Sequence, residues 1–138
     1  MKTNFSINNN LNININDLDF DLHNNFDFEK ISFDKHSMEI ILIWKKSTGR
    51  WANDIIFECL ELKHSKITFF HCGYLEDIYS NEDWNTLSTI TYFPSNNRIN
   101  NDYCTLQTIP FLDDDIIYTF ENDSFIRIKC DKIDFVYK

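Results

Sequence analysis

Four cysteines, four histidines and a run of three aspartates are the side chains of this sequence best suited to chemistry, and their spacing limits what they can do. Cys59, His64, His71 and Cys72 are the ligand types that zinc takes. Structural zinc sites draw paired ligands about two to four residues apart on a turn. His71 and Cys72 are adjacent, so in a strand they point to opposite faces. The spacing therefore predicts thiols in the core, partly exposed histidines and no metal site. Asp113-Asp114-Asp115 offers carboxylate oxygens of the kind calcium or magnesium takes. It lacks the nearby glycine that the sharp turn of such a loop needs. It reads as a solvated turn before a strand, an anionic knob that can meet a basic partner.

Nucleophilic and phosphate chemistry fare no better. Gly49 and Gly73 are the only glycines. Neither a nucleophile elbow nor a glycine-rich phosphate loop can be built from them. Nothing in the spacing selects a pair of carboxylates for glycoside hydrolysis, a geometry that is spatial. The sequence implies no cofactor. The aromatics are more suggestive. Trp44 ends an apolar run, Trp84 lies in a helical pattern, and Arg50-Trp51 sits in a polar loop. Tryptophan and arginine are enriched at binding hot spots, which makes Trp51 and Arg50 interface candidates. The alternative is a tryptophan that folds back to cap the core.

Composition narrows the class. The chain has 138 residues, 43% hydrophobic and 16% aromatic, with 13 phenylalanines. That is material for one packed domain over 1–138 and excludes disorder of the whole. No apolar run approaches the roughly 20 residues of a membrane span. The first residues lack the apolar core of a secretory signal, and a cytoplasmic protein with reduced thiols is expected. The net charge is -9. Eight basic and ten acidic side chains precede His71, and five basic and twelve acidic follow from it. Nucleic acid and anionic membrane are disfavoured as partners, because both demand lysine and arginine to neutralise phosphate. A basic protein would be attracted, with Glu76, Asp77, Glu82, Asp83, Asp113, Asp114 and Asp115 as its candidate contacts.

The elements that would position these residues are mainly strands. Leu11, Ile13 and Ile15 alternate with asparagines, and the phase slips near Asp17, where a bulge or turn is expected. Met38 to Lys46 reads as a strand buried on both faces. Asp54 to Leu62 and Ser65 to Cys72 read as two more, joined at Lys63-His64. One short helix is expected around 74–87, where Leu75, Ile78 and Tyr79 fall at helical spacing. Thr86 to Phe93 is strand-like, Tyr103 to Leu112 an edge strand because of Pro110. Ile116–Glu121 and Ser124–Cys130 flank Asn122-Asp123, the expected two-residue hairpin turn. Lys132 to Tyr137 closes the chain. With so few glycines and prolines, Asn and Asp must supply the turns. The expectation is a mainly β single domain, a sandwich or a strongly bent antiparallel sheet, with one short helix.

Two stretches carry a resemblance. One runs from Leu22-His23-Asn24-Asn25 through Phe28-Glu29-Lys30-Ile31-Ser32-Phe33-Asp34 to Glu39-Ile40-Ile41-Leu42-Ile43. The other runs from Ile116 to Cys130. Both are similar to the small, acidic, β-rich immunity proteins found beside bacterial polymorphic toxins, such as the immunity-50 and YxiG-like groups. His23 is followed by Asn24 where those groups often have aspartate. The resemblance covers about half of the chain and rests mostly on strand patterning. It implies an inhibitor that neutralises a cognate toxin by binding it, and it transfers no catalytic residue. With the acidic charge and the absence of catalytic motifs, the expectation is a non-enzymatic module that binds a basic toxin domain. A phage-encoded inhibitor of a host defence nuclease fits the same sequence. So does a small-molecule-binding or enzymatic β-barrel whose phenylalanines and tyrosines line a cavity.

Overall fold

The structure is a computed structural model that describes residues 1–73, 85–98 and 106–138. Twelve strands lie among the described residues. The first six are β1 (Lys2–Thr3), β2 (Ser6–Asn8), β3 (Asn12–Ile15), β4 (Leu18–Asp21), β5 (Phe26–Asp34) and β6 (Glu39–Lys46). The remainder are β7 (Cys59–Ser65), β8 (Phe69–Gly73), β9 (Leu87–Pro94), β10 (Asp114–Phe120), β11 (Phe125–Lys129) and β12 (Lys132–Tyr137). They form a five-stranded sheet in the order β1-β12-β7-β6-β5, a four-stranded sheet β8-β11-β10-β9 and a three-stranded sheet β2-β3-β4. The architecture is mainly β and consistent with a sandwich. The helix expected around 74–87 falls almost wholly on residues 74–84, outside the described residues. At its far end Leu87 already belongs to β9.

The five- and four-stranded sheets face each other across one core. β6 turns Ile40, Leu42 and Trp44 inward, β7 Leu60, Leu62 and His64, and β10 Ile116, Tyr118 and Phe120. Rings interlock across the gap, with Trp44 6.0 Å from Tyr118 and Phe28 5.0 Å from Phe120 between centroids. The third sheet closes one end of the sandwich. Phe20 of β4 lies within 5.2 Å of the rings of Phe57, Phe135 and Tyr137. Burying rings of this size supplies the main driving force for a chain so rich in phenylalanine.

The turns follow from the asparagines and aspartates. Asn16 and Asp17 both have positive φ and join β3 to β4 as a two-residue hairpin, with Ile15 opposite Leu18. This loop is the source of the phase slip at Asp17, since such primed turns need two residues that tolerate positive φ. A second slip, from Phe26 and Phe28 to Ile31 and Phe33, comes from a bulge at Glu29 that restores the inward phase against β6.

Several expectations are corrected. β6 buries one face only. Ile41 and Ile43 are half-buried on the outer side, opposite Ser32 and Lys30, and the Lys30 stem can flank Ile43. Asp54–Glu58 is not a strand. Pairing starts at Cys59 because the partners of β7 end there, β6 at Lys46 and β12 at Tyr137. The connection at Lys63-His64 is therefore strand interior, and the break falls at Lys66, which has φ 57°. Leu106–Leu112 is irregular, while residues 103–105 lie outside the described ones. Both sides of β10 are filled by β9 and β11, so this segment adds one backbone bond to β9, Tyr92 N to Gln107 O at 3.0 Å. The β10–β11 hairpin has a longer loop than expected. Phe120 N donates to Ser124 O and Asp123 N to Phe120 O, and only Asp123 has positive φ. That is a turn followed by a left-handed residue.

Candidate functional site

The Arg50-Trp51 loop emerges where β6 ends, and two local devices fix its tryptophan in solvent. The first begins at Asp21. Its carboxylate accepts from His23 N at 3.0 Å, from Asn24 N at 2.9 Å and from Asn24 Nδ2 at 2.7 Å. Short polar side chains close turns in this way. The turn presents the Asn24 carbonyl outward, and Trp51 Nε1 donates to it at 2.7 Å. The second device is Gly49, where a Cβ would overlap the indole ring. Glycine stands there to let the ring lie against backbone. A 3₁₀ turn over Arg50–Ala52 carries the ring, and the buried methyl of Ala52 roots it in the protein. Trp51 is 69% exposed nonetheless. It does not fold back to cap the core.

The segment that follows Trp51 in the chain, Asp54 to Phe57, lines an apolar cleft with an acidic rim. Ile56, 80% exposed, and Leu18 border this cleft of about 170 Å³, whose floor includes Phe20, Phe26 and Phe57. Asp19 and Asp54 line the same cleft, and Asp17 is exposed beside Leu18. None of these three carboxylates has an ion-pair partner among the described residues. Asp19 is held by Asn12 Nδ2 and Asn14 Nδ2, each at 2.6 Å. Arg50 is exposed next to Trp51 and adds one positive charge. An exposed, oriented tryptophan, followed five residues later by an exposed isoleucine, has the form of an interface hot spot.

The aspartate run is different from the knob expected of it. Asp113 is exposed and paired with Lys129 Nζ at 3.4 Å. Asp114 and Asp115 are buried in β10. Asp114 Oδ2 accepts from Phe111 N at 2.8 Å and Gln107 Nε2 at 2.6 Å, which ties down the segment before the strand. Asp115 accepts two bonds from Arg98, both at 2.8 Å, and one from Arg127 Nε at 2.6 Å. Arg127 is itself buried and also donates to Pro94 O at 3.1 Å. A carboxylate so buried is tolerated because charge-assisted bonds replace its water. These two aspartates therefore serve the fold, and cannot touch a partner. Glu76, Asp77, Glu82 and Asp83 lie outside the described residues.

The candidate ligands and nucleophiles are dispersed. His64 lies in the core between the two large sheets. Its Nδ1 faces Ile40 O at 3.1 Å and its Nε2 faces Tyr118 Oη at 2.8 Å. A carbonyl can only accept, so Nδ1 carries the proton and Tyr118 donates to Nε2. Burial pushes the His64 pKa down to about 4. Burial likewise pushes the Cys72 and Cys130 thiols up to about 12 and raises that of Cys59. Thiols in that state are poor nucleophiles. Among the described residues no three His, Cys, Asp or Glu side chains gather as a metal site would need. None of the clefts of about 630, 170 and 500 Å³ is lined by His64, His71 or Cys72.

Sequence reasoning reached Trp51 and Arg50 but missed Leu18, Asn24, Gly49 and Ile56. Gly49 two residues before a loop tryptophan was the available signal. Ile56 was hidden in a pattern that reads as a strand. Comparison with family models, with characterised proteins and with solved structures finds no match to this chain.

Proposed function

We propose that this chain is a non-enzymatic protein-binding module that docks a basic partner on its Trp51 face, acting as an immunity protein that occludes a cognate bacterial toxin. The observation that carries the reading is Trp51 itself, exposed yet held by the Asn24 carbonyl and by Gly49. Holding an apolar side chain in solvent gives the free protein nothing, whereas an oriented ring loses little entropy when a partner covers it. The unpaired carboxylates of Asp17, Asp19 and Asp54 set the sign of that partner. Action in the cytoplasm belongs to the same proposal, where Cys59, Cys72 and Cys130 would stay as the free thiols they are here. Among the described residues no helix is long and apolar enough to cross a membrane.

The barrel reading has less support, because aromatic rings fill the interior and His64 is engaged by Tyr118. Coexpression with the product of the adjacent gene, followed by titration calorimetry, tests the binding reading. Trp51→Ala is expected to weaken the complex at least about 30-fold, the loss of a hot-spot side chain. No complex with that product, or unchanged affinity in Trp51→Ala and Ile56→Ala, rejects it.

A further inference from the structure

The strands of the five-stranded sheet have two ends, and the Trp51 face occupies one of them. At the other, Ser65 of β7 pairs with both Lys132 of β12 and Glu39 of β6. The length of β12 separates the two ends by about 17 Å. There a cleft of about 630 Å³ adjoins one of about 500 Å³, and the two share Leu112, Asp113 and Lys129. They make one groove.

The charge of this groove opposes that of the chain. Lys2, Lys66, Lys129 and Lys132 line it against Asp113 and Asp131. Their ion pairs lie at the surface: Lys129 reaches Asp113 at 3.4 Å and also Ser95 Oγ at 3.3 Å, Lys66 reaches Asp131 at 3.7 Å, and Lys132 reaches Asp134 at 2.8 Å. Such pairs exchange readily for an incoming carboxylate. Lys66 also sits in the left-handed region, at φ 57°, where a side chain with a Cβ is strained. Strain of this kind is kept where the surrounding structure holds it and is often tied to function. Beside the lysines stands an apolar ledge. Leu112 is 85% exposed and Phe111 65%. The ledge is firm because Asp114 holds Phe111 N and Gln107 Nε2.

We propose that this groove is a second docking site, which takes an extended acidic segment of a protein partner. Its large apolar side chains pack on Phe111 and Leu112, and its carboxylates pair with Lys2, Lys66, Lys129 and Lys132. A polypeptide segment fits better than an anionic bilayer, because the site is concave and a bilayer has no ridge to fill it. The ledge and the lysines follow the general form of peptide recognition, with apolar pockets for grip and charge for direction.

Fluorescence anisotropy tests this with a fluorescein-labelled octapeptide that alternates glutamate with leucine and phenylalanine. The control peptide has lysine in place of glutamate. Saturable binding of the acidic peptide alone is expected, weakened about tenfold or more by Lys66→Glu with Lys132→Glu, and equally by Phe111→Ser with Leu112→Ser. All four positions are exposed or form the cleft wall, and circular dichroism checks that each variant folds. Trp51→Ala should bind this peptide as wild type does, which separates the groove from the Trp51 face. Absence of saturable binding, equal binding of the lysine peptide, or insensitivity to the four substitutions overturns the proposal. So does sedimentation with phosphatidylserine-containing vesicles that the same variants abolish, or self-association that they abolish.

Discussion

Acidification tests the placement of His64 in the core. The imidazole is fully buried, with Nδ1 donating to Ile40 O and Nε2 accepting from Tyr118. Burial opposes its protonation and sets the folded pKa at about 4, against 6.5 for the free side chain. The unfolded chain therefore binds the proton first as pH falls. Stability from this group is fully present above pH 6.5 and is lost as pH drops toward 4. The difference of about 2.5 units, at 1.36 kcal/mol each, amounts to about 3 kcal/mol. Carboxylates titrate over part of the same range, so the measurement is a difference. Urea unfolding of wild type and His64→Gln at several pH values from 7.5 to 4 cancels most of their share. The stability advantage of wild type over the variant should shrink by about 3 kcal/mol across that range. Imidazole nitrogen shifts of the folded protein should show His64 still neutral at pH 5. A pH-independent difference, or one that grows on acidification, would falsify the assignment of a neutral, buried His64.

Three further outcomes follow from the geometry. Asp115→Asn removes the charge that faces Arg127 and Arg98, and the buried arginine left behind should cost about 3–5 kcal/mol in urea unfolding. A loss below about 1 kcal/mol would mean that the pair is solvated. Gly49→Ala should push the indole off the Asn24 carbonyl, seen as faster hydrogen exchange of the Trp51 indole N–H with the rest of the amide spectrum preserved. Unchanged exchange would show that the ring does not rest on Gly49. Alkylation of native protein at pH 8 should modify Cys72 and Cys130 about a thousandfold more slowly than in the unfolded chain, since three units of pKa remove that fraction of thiolate. Peptide mass spectrometry measures it, and labelling at the unfolded rate would show that these thiols open to solvent.

Features that depend on neighbours a few residues apart were legible in the sequence. The mainly β architecture follows from period-two alternation in β3 and from the apolar run of β6, although that run did not show that β6 buries one face only. The hairpin at Asn16-Asp17 follows from two residues that tolerate positive φ. Trp51 was visible as an aromatic side chain in a polar loop. Its alternative, a cap on the core, differs from what is observed only through Asn24 and Gly49. Asn24 is 27 residues away in sequence, and no local pattern reports on it.

The misreadings share one cause. Asp113, Asp114 and Asp115 are identical in type, and a turn of three solvated carboxylates is the local expectation. Only the third dimension brings Arg98 and Arg127 to Asp115 and aims Gln107 at Asp114, so that two of the three are buried. Ile56 alternates as a strand residue would, yet strand formation requires partners, and β6 and β12 both end before reaching it. The lysines of the groove are spread from Lys2 to Lys132, invisible as a cluster in a chain of net charge -9. The sequence by itself determined the strand character, the turns and the material of the core, because alternation and backbone preference act locally. The tertiary structure decided which charges are buried, which apolar groups stay in water and where each sign of charge gathers. Those depend on contacts between residues far apart in the chain.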